Sequence, residues 1–199
     1  MSYVRTPVRS WCKYFSLTLL LSMLSACGDL TEDLSPSSDD KRATVTAGTT
    51  GYMPGQLAAD FFISSSAADT FQLSDHLATG AEPADVVVLY FTMWCPICLA
   101  HSDHIYNVVM PQFAGRGTIV YGLVDYVSGS VSAARASEQA NGYAGSDFVT
   151  LVDNQHALMD QFNGAMGTVV VIDSDGTILM NEDYRNGATL IDILGQQLP

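Results

Sequence analysis

The stretch "TMWCPICLAH", Thr92 to His101, follows without a break on "DVVVLYF", Asp85 to Phe91. A continuous apolar run of that length is what a strand buried on both faces requires. Pro96 suits the first turn of a helix, where its missing N–H has no partner to lose. The order predicts a central strand, then a helix from Pro96 to about Gln112, with two cysteines at the junction. A redox dithiol, half of a metal site and a structural disulfide are the candidates. Residues three apart on a helix are neighbours, so a small adjustment brings Cys95 and Cys98 to disulfide distance. Cys95, at the helix N-terminus, faces unpaired backbone N–H groups and the positive end of the helix dipole, both of which favour thiolate. Cys98, one turn in, is more shielded. Cys95 therefore reads as the attacking thiol and Cys98 as the resolving one. The ionisation matters: a thiol of pKa about 8.5 is only ~3% thiolate at pH 7, and one near 7 is about half.

Outward from this junction the chain alternates strand and helix signals. "DFFIS" (60–64) and "TFQLS" (70–74) read as a short hairpin, and "TIVYGLVDY" (118–126) as the next buried strand. Residues 130–144 read as a helix, 148–153 as a strand, and 154–162 as a helix capped by Asp153 or Asn154. "TVVVID" (168–173) and "TILMNED" (177–183) are strands joined by a "SDG" turn, and 187–198 closes as an amphipathic helix. The expected fold is an α/β sandwich of three layers with a mixed central β-sheet and an N-terminal β-hairpin extension.

The first residues follow a different logic. Arg5, Arg9 and Lys13 form a positive region ahead of "FSLTLLLSMLSA", an apolar run of 12 residues ending at Ala26. That is too short to span a bilayer, which takes roughly 18 or more, but it suits a signal peptide. It ends in "LSAC", which resembles a bacterial lipobox with Cys27 as the lipidated residue. Residues 1–26 are thus expected as a lipoprotein signal peptide, and 27–55, rich in Ser, Thr, Asp and Gly, as a flexible tether. Residues 56–199 are left as the folded domain. Of the four cysteines, Cys12 leaves with the signal and Cys27 is consumed by lipid, so only Cys95 and Cys98 remain as thiols. The anchor implies a cell-membrane location facing the periplasm or another extracytoplasmic space, where disulfides persist. Gly28 after the anchor and Asp29 beyond it leave inner and outer membrane both open.

Charge narrows the partners. The formal net charge of −13 becomes −16 once residues 1–26, with three basic and no acidic side chains, are removed. A polyanion binder needs a basic surface to displace counterions, so nucleic acid is excluded as a partner.

"VVLYFTMWCPIC", the upstream "ADFFISSSAADTFQLSDHL" and the downstream "GTVVVIDSDGTILMNEDY" together resemble the redoxin branch of the thioredoxin superfamily, in the style of TlpA/ResA-type membrane-anchored thiol-disulfide oxidoreductases. The resemblance covers roughly residues 55–198. It implies a thioredoxin-like fold, a redox-active Cys95–Cys98 disulfide, and Trp94 and Pro96 shaping the loop. It also implies protein dithiols and disulfides as substrates, a separate redox partner, no bound cofactor and a monomeric domain. Three positions depart from the pattern. The cis-proline that faces the dithiol in relatives falls at Gly167, and Met166 before it reads as a loop contact and not a ligand, at a position that in relatives often lines the substrate groove. A Glu three residues after the second Cys is replaced by His101. The buried acid of thioredoxin falls at Leu89.

His101 lies one helical turn beyond Cys98 and reads either as a shuttle for the Cys98 proton or as a solvated surface histidine. With His104 it extends the pattern to C-x-x-C-x-x-H-x-x-H, but steps of three residues drift around a helix, so four ligands cannot meet on one ion. Cys95, Cys98 and His101 could supply three ligands to copper or zinc. That carrier reading is one alternative, with a catalytically idle scaffold beside it. Thr92-x-x-Cys95 resembles a peroxiredoxin site, which places Pro where Val88 stands, and makes a thiol peroxidase the other. His76 and His156 read as cap-region and helix-surface residues.

Overall fold

The computed structural model describes residues 44–199, in which Val45–Pro199 form one compact unit. The expected signal peptide, Cys12, Cys27 and most of the expected tether lie outside the described residues. The folded unit begins earlier than residue 56. Gly55 N–H donates to the Ile178 carbonyl (2.8 Å), Ile178 N–H to Gln56 (2.8 Å) and Ala58 N–H to Gly176 (2.9 Å). The last part of the expected tether is thus laid along a strand edge, and backbone pairing there compensates for its low apolar content.

β1 (Phe62–Ser64) and β2 (Thr70–Gln72) form the expected antiparallel hairpin, shorter than its sequence signal. β3 (Val86–Thr92), β4 (Ile119–Asp125), β5 (Phe148–Val152), β6 (Thr168–Asp173) and β7 (Ile178–Asp183) form the main sheet. Their order is β5-β4-β3-β6-β7. β3 pairs parallel to β4 and antiparallel to β6, so the sheet is mixed and β3 is its centre. All seven residues of β3 are buried. Side chains alternate across a strand, so Val86, Val88 and Tyr90 join one core and Val87, Leu89 and Phe91 the other.

The first core holds the helix that starts at the dithiol. It runs as α1 (Pro96–His104), a π-helical turn (Ile105–Val109) and α2 (Met110–Phe113). Pro111 explains the wide turn: it has no N–H, and its ring collides with the carbonyl four residues back in a regular helix. α5 (Ala188–Gln197) packs on the same face through Leu190 and Leu194. The opposite face is covered by Phe61, just before β1, by Phe71 of β2 and by Leu158 of α4 (Ala157–Gln161). α3 (Val131–Ala140) begins at Ser130, whose hydroxyl accepts the Ala133 N–H. Three layers result, as expected.

α4 departs from its expected start. Its N-cap is His156, in the left-handed region at φ +59°, and not Asp153 or Asn154. Asp153 still serves the helix from outside, since its Oδ2 accepts the Met159 N–H at 2.9 Å. His156 is accordingly a turn residue whose Nε2 meets the Tyr126 carbonyl at 3.1 Å.

Candidate functional site

The end of β3 delivers the dithiol to the top of the sheet. Trp94 sits at φ +58°, a backbone position unusual for a bulky residue, and three contacts hold it there. Its N–H donates to Thr92 Oγ1 (3.1 Å), its Nε1–H donates to Asp125 Oδ2 (2.8 Å), and its ring stacks on Tyr143 at 6.3 Å. Asp125 stands beside Thr92 on β4 and is completely buried. Its other oxygen accepts the backbone N–H groups of Val127 (3.1 Å) and Ser128 (3.0 Å), so the carboxylate ties the dithiol loop to the loop after β4. No motif singles out Asp125; the only hint is its place at the end of a buried strand.

This turn leaves Cys95 as the N-cap of α1 and Pro96 at its first position. Cys95 Sγ lies 2.6 Å from Cys98 Sγ and accepts the Cys98 backbone N–H at 3.2 Å. The two thiols differ as expected. Hydrogen bonding from the Cys98 thiol, joined by backbone N–H groups at the helix start, pushes the Cys95 pKa below the ordinary thiol value and outweighs burial. Burial, then the hydrogen bond to Cys95, pushes Cys98 up. Cys98 is fully buried and Cys95 is partly open. Beside Cys95, Met93, Met166 and Ile97 are exposed, Ile97 by 58%.

Gly167 takes the place facing the dithiol. It lies at φ +85°, with no cis peptide bond among the described residues. Its N–H donates to the Phe91 carbonyl (3.0 Å) and its carbonyl accepts the Tyr184 N–H (2.8 Å). The segment is therefore stitched between β3 and the end of β7 by backbone alone. Met166 Sδ comes 3.5 Å from Cys95 Sγ, so a flexible thioether occupies the approach to the nucleophile.

His101 does not stand with the thiols as a third ligand. Its Nδ1 lies 3.1 Å from the Tyr90 hydroxyl, and its ring packs against Tyr184 at 4.8 Å. His104 turns its Nδ1 to the Tyr184 hydroxyl at 2.6 Å. Among the described residues no group of three His, Cys, Asp or Glu side chains gathers to hold a metal. Cys95, Cys98 and His101 therefore do not come together as the three-ligand set, because both imidazoles are engaged with tyrosines. Leu89, the position of the missing acid, belongs to the core on the other face of the sheet. Its neighbour Tyr90 shares the buried core of Cys98, and its hydroxyl lies 3.1 Å from His101 Nδ1. Strand alternation could have found Tyr90, since it puts residues 86, 88 and 90 on one face.

A five-stranded mixed sheet between helices, with a C-x-x-C pair opening the helix after its central strand, defines a thioredoxin-like redoxin. The AhpC/TSA family model matches residues 54–180, and the chain belongs to that family. No curated protein matches it by sequence. Among solved structures it is similar to a protein assigned as a disulfide isomerase from Bacteroides thetaiotaomicron, at 19% identity and TM-score 0.61, covering 73% of this chain and 90% of that one. It is similar also to a protein assigned as thiol:disulfide interchange protein DsbE from Chlorobium tepidum, at 20% identity and TM-score 0.56 (74% and 96%). The peroxidoxin BcpB from Mycobacterium tuberculosis follows at 22% identity and TM-score 0.53 (66% and 86%). Identities this low bear on the fold.

Proposed function

We propose that this protein is a thiol-disulfide oxidoreductase that exchanges disulfides with protein partners through Cys95 and Cys98. The observation that carries the reading is the asymmetry of the pair: a partly open, acidified Cys95 on the N-cap of α1 and a buried Cys98 whose thiol is held protonated. Cys95 thiolate attacks a substrate disulfide and forms a mixed disulfide, releasing one substrate thiolate. Cys98 then attacks Cys95 Sγ; the internal disulfide forms and the second substrate sulfur leaves with the electron pair. The reverse sequence oxidises a dithiol, and a separate redox partner resets the pair. Exposed Met93, Ile97 and Met166 give an apolar, adaptable surface around Cys95 that suits an unfolded or extended protein segment.

Family membership favours a second reading, reduction of peroxide by Cys95. Thr92 argues against it: the side chain is fully buried, and its Oγ1 accepts the Trp94 N–H. Mixing the reduced protein with a disulfide-bonded model protein, and separately with hydrogen peroxide, decides between them. Rapid loss of both thiols with the first and slow loss with the second supports disulfide exchange; the opposite ranking supports the peroxidase.

The location is part of the proposal. "LSAC" at Leu24–Cys27 after a short apolar run supports export and lipid anchoring at Cys27, with the domain outside the cytoplasm. Labelled palmitate should enter the wild-type protein and not the Cys27→Ala variant. A wild type that takes up no label contradicts the anchor while leaving the dithiol chemistry standing.

A further inference from the structure

The resolving step has an unsolved requirement. Cys98 must lose its proton to attack Cys95 Sγ, yet it is fully buried and its pKa is raised. A base is needed on the sheet side of α1, and the position where thioredoxin keeps one is Leu89, on the wrong face. The groups that do face Cys98 form a line. Tyr90 lies in the same buried cluster as Cys98, and its hydroxyl stands 3.1 Å from His101 Nδ1. The His101 ring in turn packs against Tyr184 at 4.8 Å, beside Arg185, a residue held in the left-handed region at φ +53°. The tautomer with its N–H on Nε2 leaves the Nδ1 lone pair facing the Tyr90 hydroxyl.

Resting on the disulfide-exchange reading above, we infer that Tyr90 and His101 form a directed proton relay for Cys98, running from Cys98 S–H through the Tyr90 hydroxyl to His101 Nδ1. In the mixed disulfide, the Cys98 proton passes to the Tyr90 oxygen as the Tyr90 proton passes to Nδ1. Cys98 thiolate then attacks Cys95 Sγ, the Cys95–Cys98 bond forms, and the bond from Cys95 to the substrate sulfur breaks. The electron pair leaves with the substrate thiolate, and the proton rests on a His101 imidazolium. Tyr90 ends the step as it began, neutral.

The surroundings fit an acceptor that is vacant near neutral pH. From β3, Tyr90 faces the ring; from α1, His104; from the end of β7 and beyond, Asp183, Tyr184 and the Arg185 backbone. Burial, followed by the charge of His104, lowers the His101 pKa, while the Arg185 backbone and Asp183 oppose that shift. His101 is therefore neutral at pH 7. Burial, with the thiolates nearby, keeps Tyr90 far above its ordinary pKa, so it passes a proton on and does not hold a charge. Tyr184 closes the ring from the side and, through its hydroxyl at 2.6 Å, keeps His104 turned away. Tyr90 is a catalytic residue in this scheme; His101 acts through it and is a positioning and accepting group.

The test separates the two thiol steps. Reduced protein mixed with 5,5′-dithiobis(2-nitrobenzoate) releases one thionitrobenzoate as Cys95 is modified and a second as Cys98 resolves the mixed disulfide. In Tyr90→Phe and His101→Gln the first phase should stay within twofold of wild type. The second phase should slow at least tenfold at pH 7 and recover as pH rises and hydroxide takes over from the relay. Wild type should keep its second phase down to the His101 pKa, below the ordinary histidine range. A second phase with unchanged rate and pH profile in both variants overturns the relay. Absence of a second phase in wild type instead strikes the dithiol reading itself. Should the variants not fold, 15N spectra of the wild-type imidazoles decide: His101 protonated on Nε2 near neutral pH supports the relay, and protonation on Nδ1 overturns it.

Discussion

Cys95 and Cys98 are the same amino acid three residues apart, yet they stand in opposite environments. The first ends a turn, accepts hydrogen bonds and meets solvent; the second lies one helical turn deeper, in the core shared by Val86, Val88 and Tyr90. Chemically identical side chains become nucleophile and resolving thiol through position alone. The difference teaches that the helix start does two things at once. It exposes N–H groups to one thiol and, by the periodicity of α1, turns the other against the sheet.

Removing either thiol should have the largest effect. Cys95→Ser should reduce turnover with a disulfide-bonded protein to background, measured by substrate thiol release. Cys98→Ser should also stop turnover, but with mixed disulfides through Cys95 accumulating on a non-reducing gel. If both variants behaved alike, the division of labour would be lost.

The segment facing the dithiol is held by its backbone. Gly167→Pro forces φ from +85° toward −65° and removes the N–H that bonds the Phe91 carbonyl, so it should cost about 3 kcal/mol or more in denaturant unfolding. Asp125→Ala strands the Trp94 Nε1–H and two backbone N–H groups, and should cost about 2–3 kcal/mol while slowing exchange through a loosened Trp94. Gly167→Ala should cost only about 1–2 kcal/mol, the price of a left-handed φ, because an added Cβ meets nothing within 4 Å. Equal losses for the Ala and Pro variants would point to side-chain crowding in place of backbone conformation.

Much of this was legible in the chain. The seven strands, the hairpin and the placement of both cysteines follow from apolar runs, turn residues and Pro96, because local signals and fold agree there. Four features were not legible, each for a physical reason. The left-handed φ of Gly167 depends on the backbone bonds it makes to β3 and β7, which no local pattern encodes. The ordering of residues 45–55 comes from pairing with a strand edge over a hundred residues away. The start of α4 is set by the turn at His156. His101 could be placed on the right side of α1 by helix phase, but its partner Tyr90 required knowing which face of β3 meets Cys98.

The central claim, unequal thiols, is tested most directly by timed alkylation of the reduced protein from pH 5 to 10, with Cys95 and Cys98 peptides separated and quantified. Cys95 has its pKa lowered, so its labelling should persist as pH falls below the ordinary thiol range and fade only through its own, lower pKa. Cys98 has its pKa raised, so its labelling should lag at every pH and grow only above that range. Labelling of Cys98 before Cys95 at neutral pH, or a shared midpoint for the two, would contradict the account.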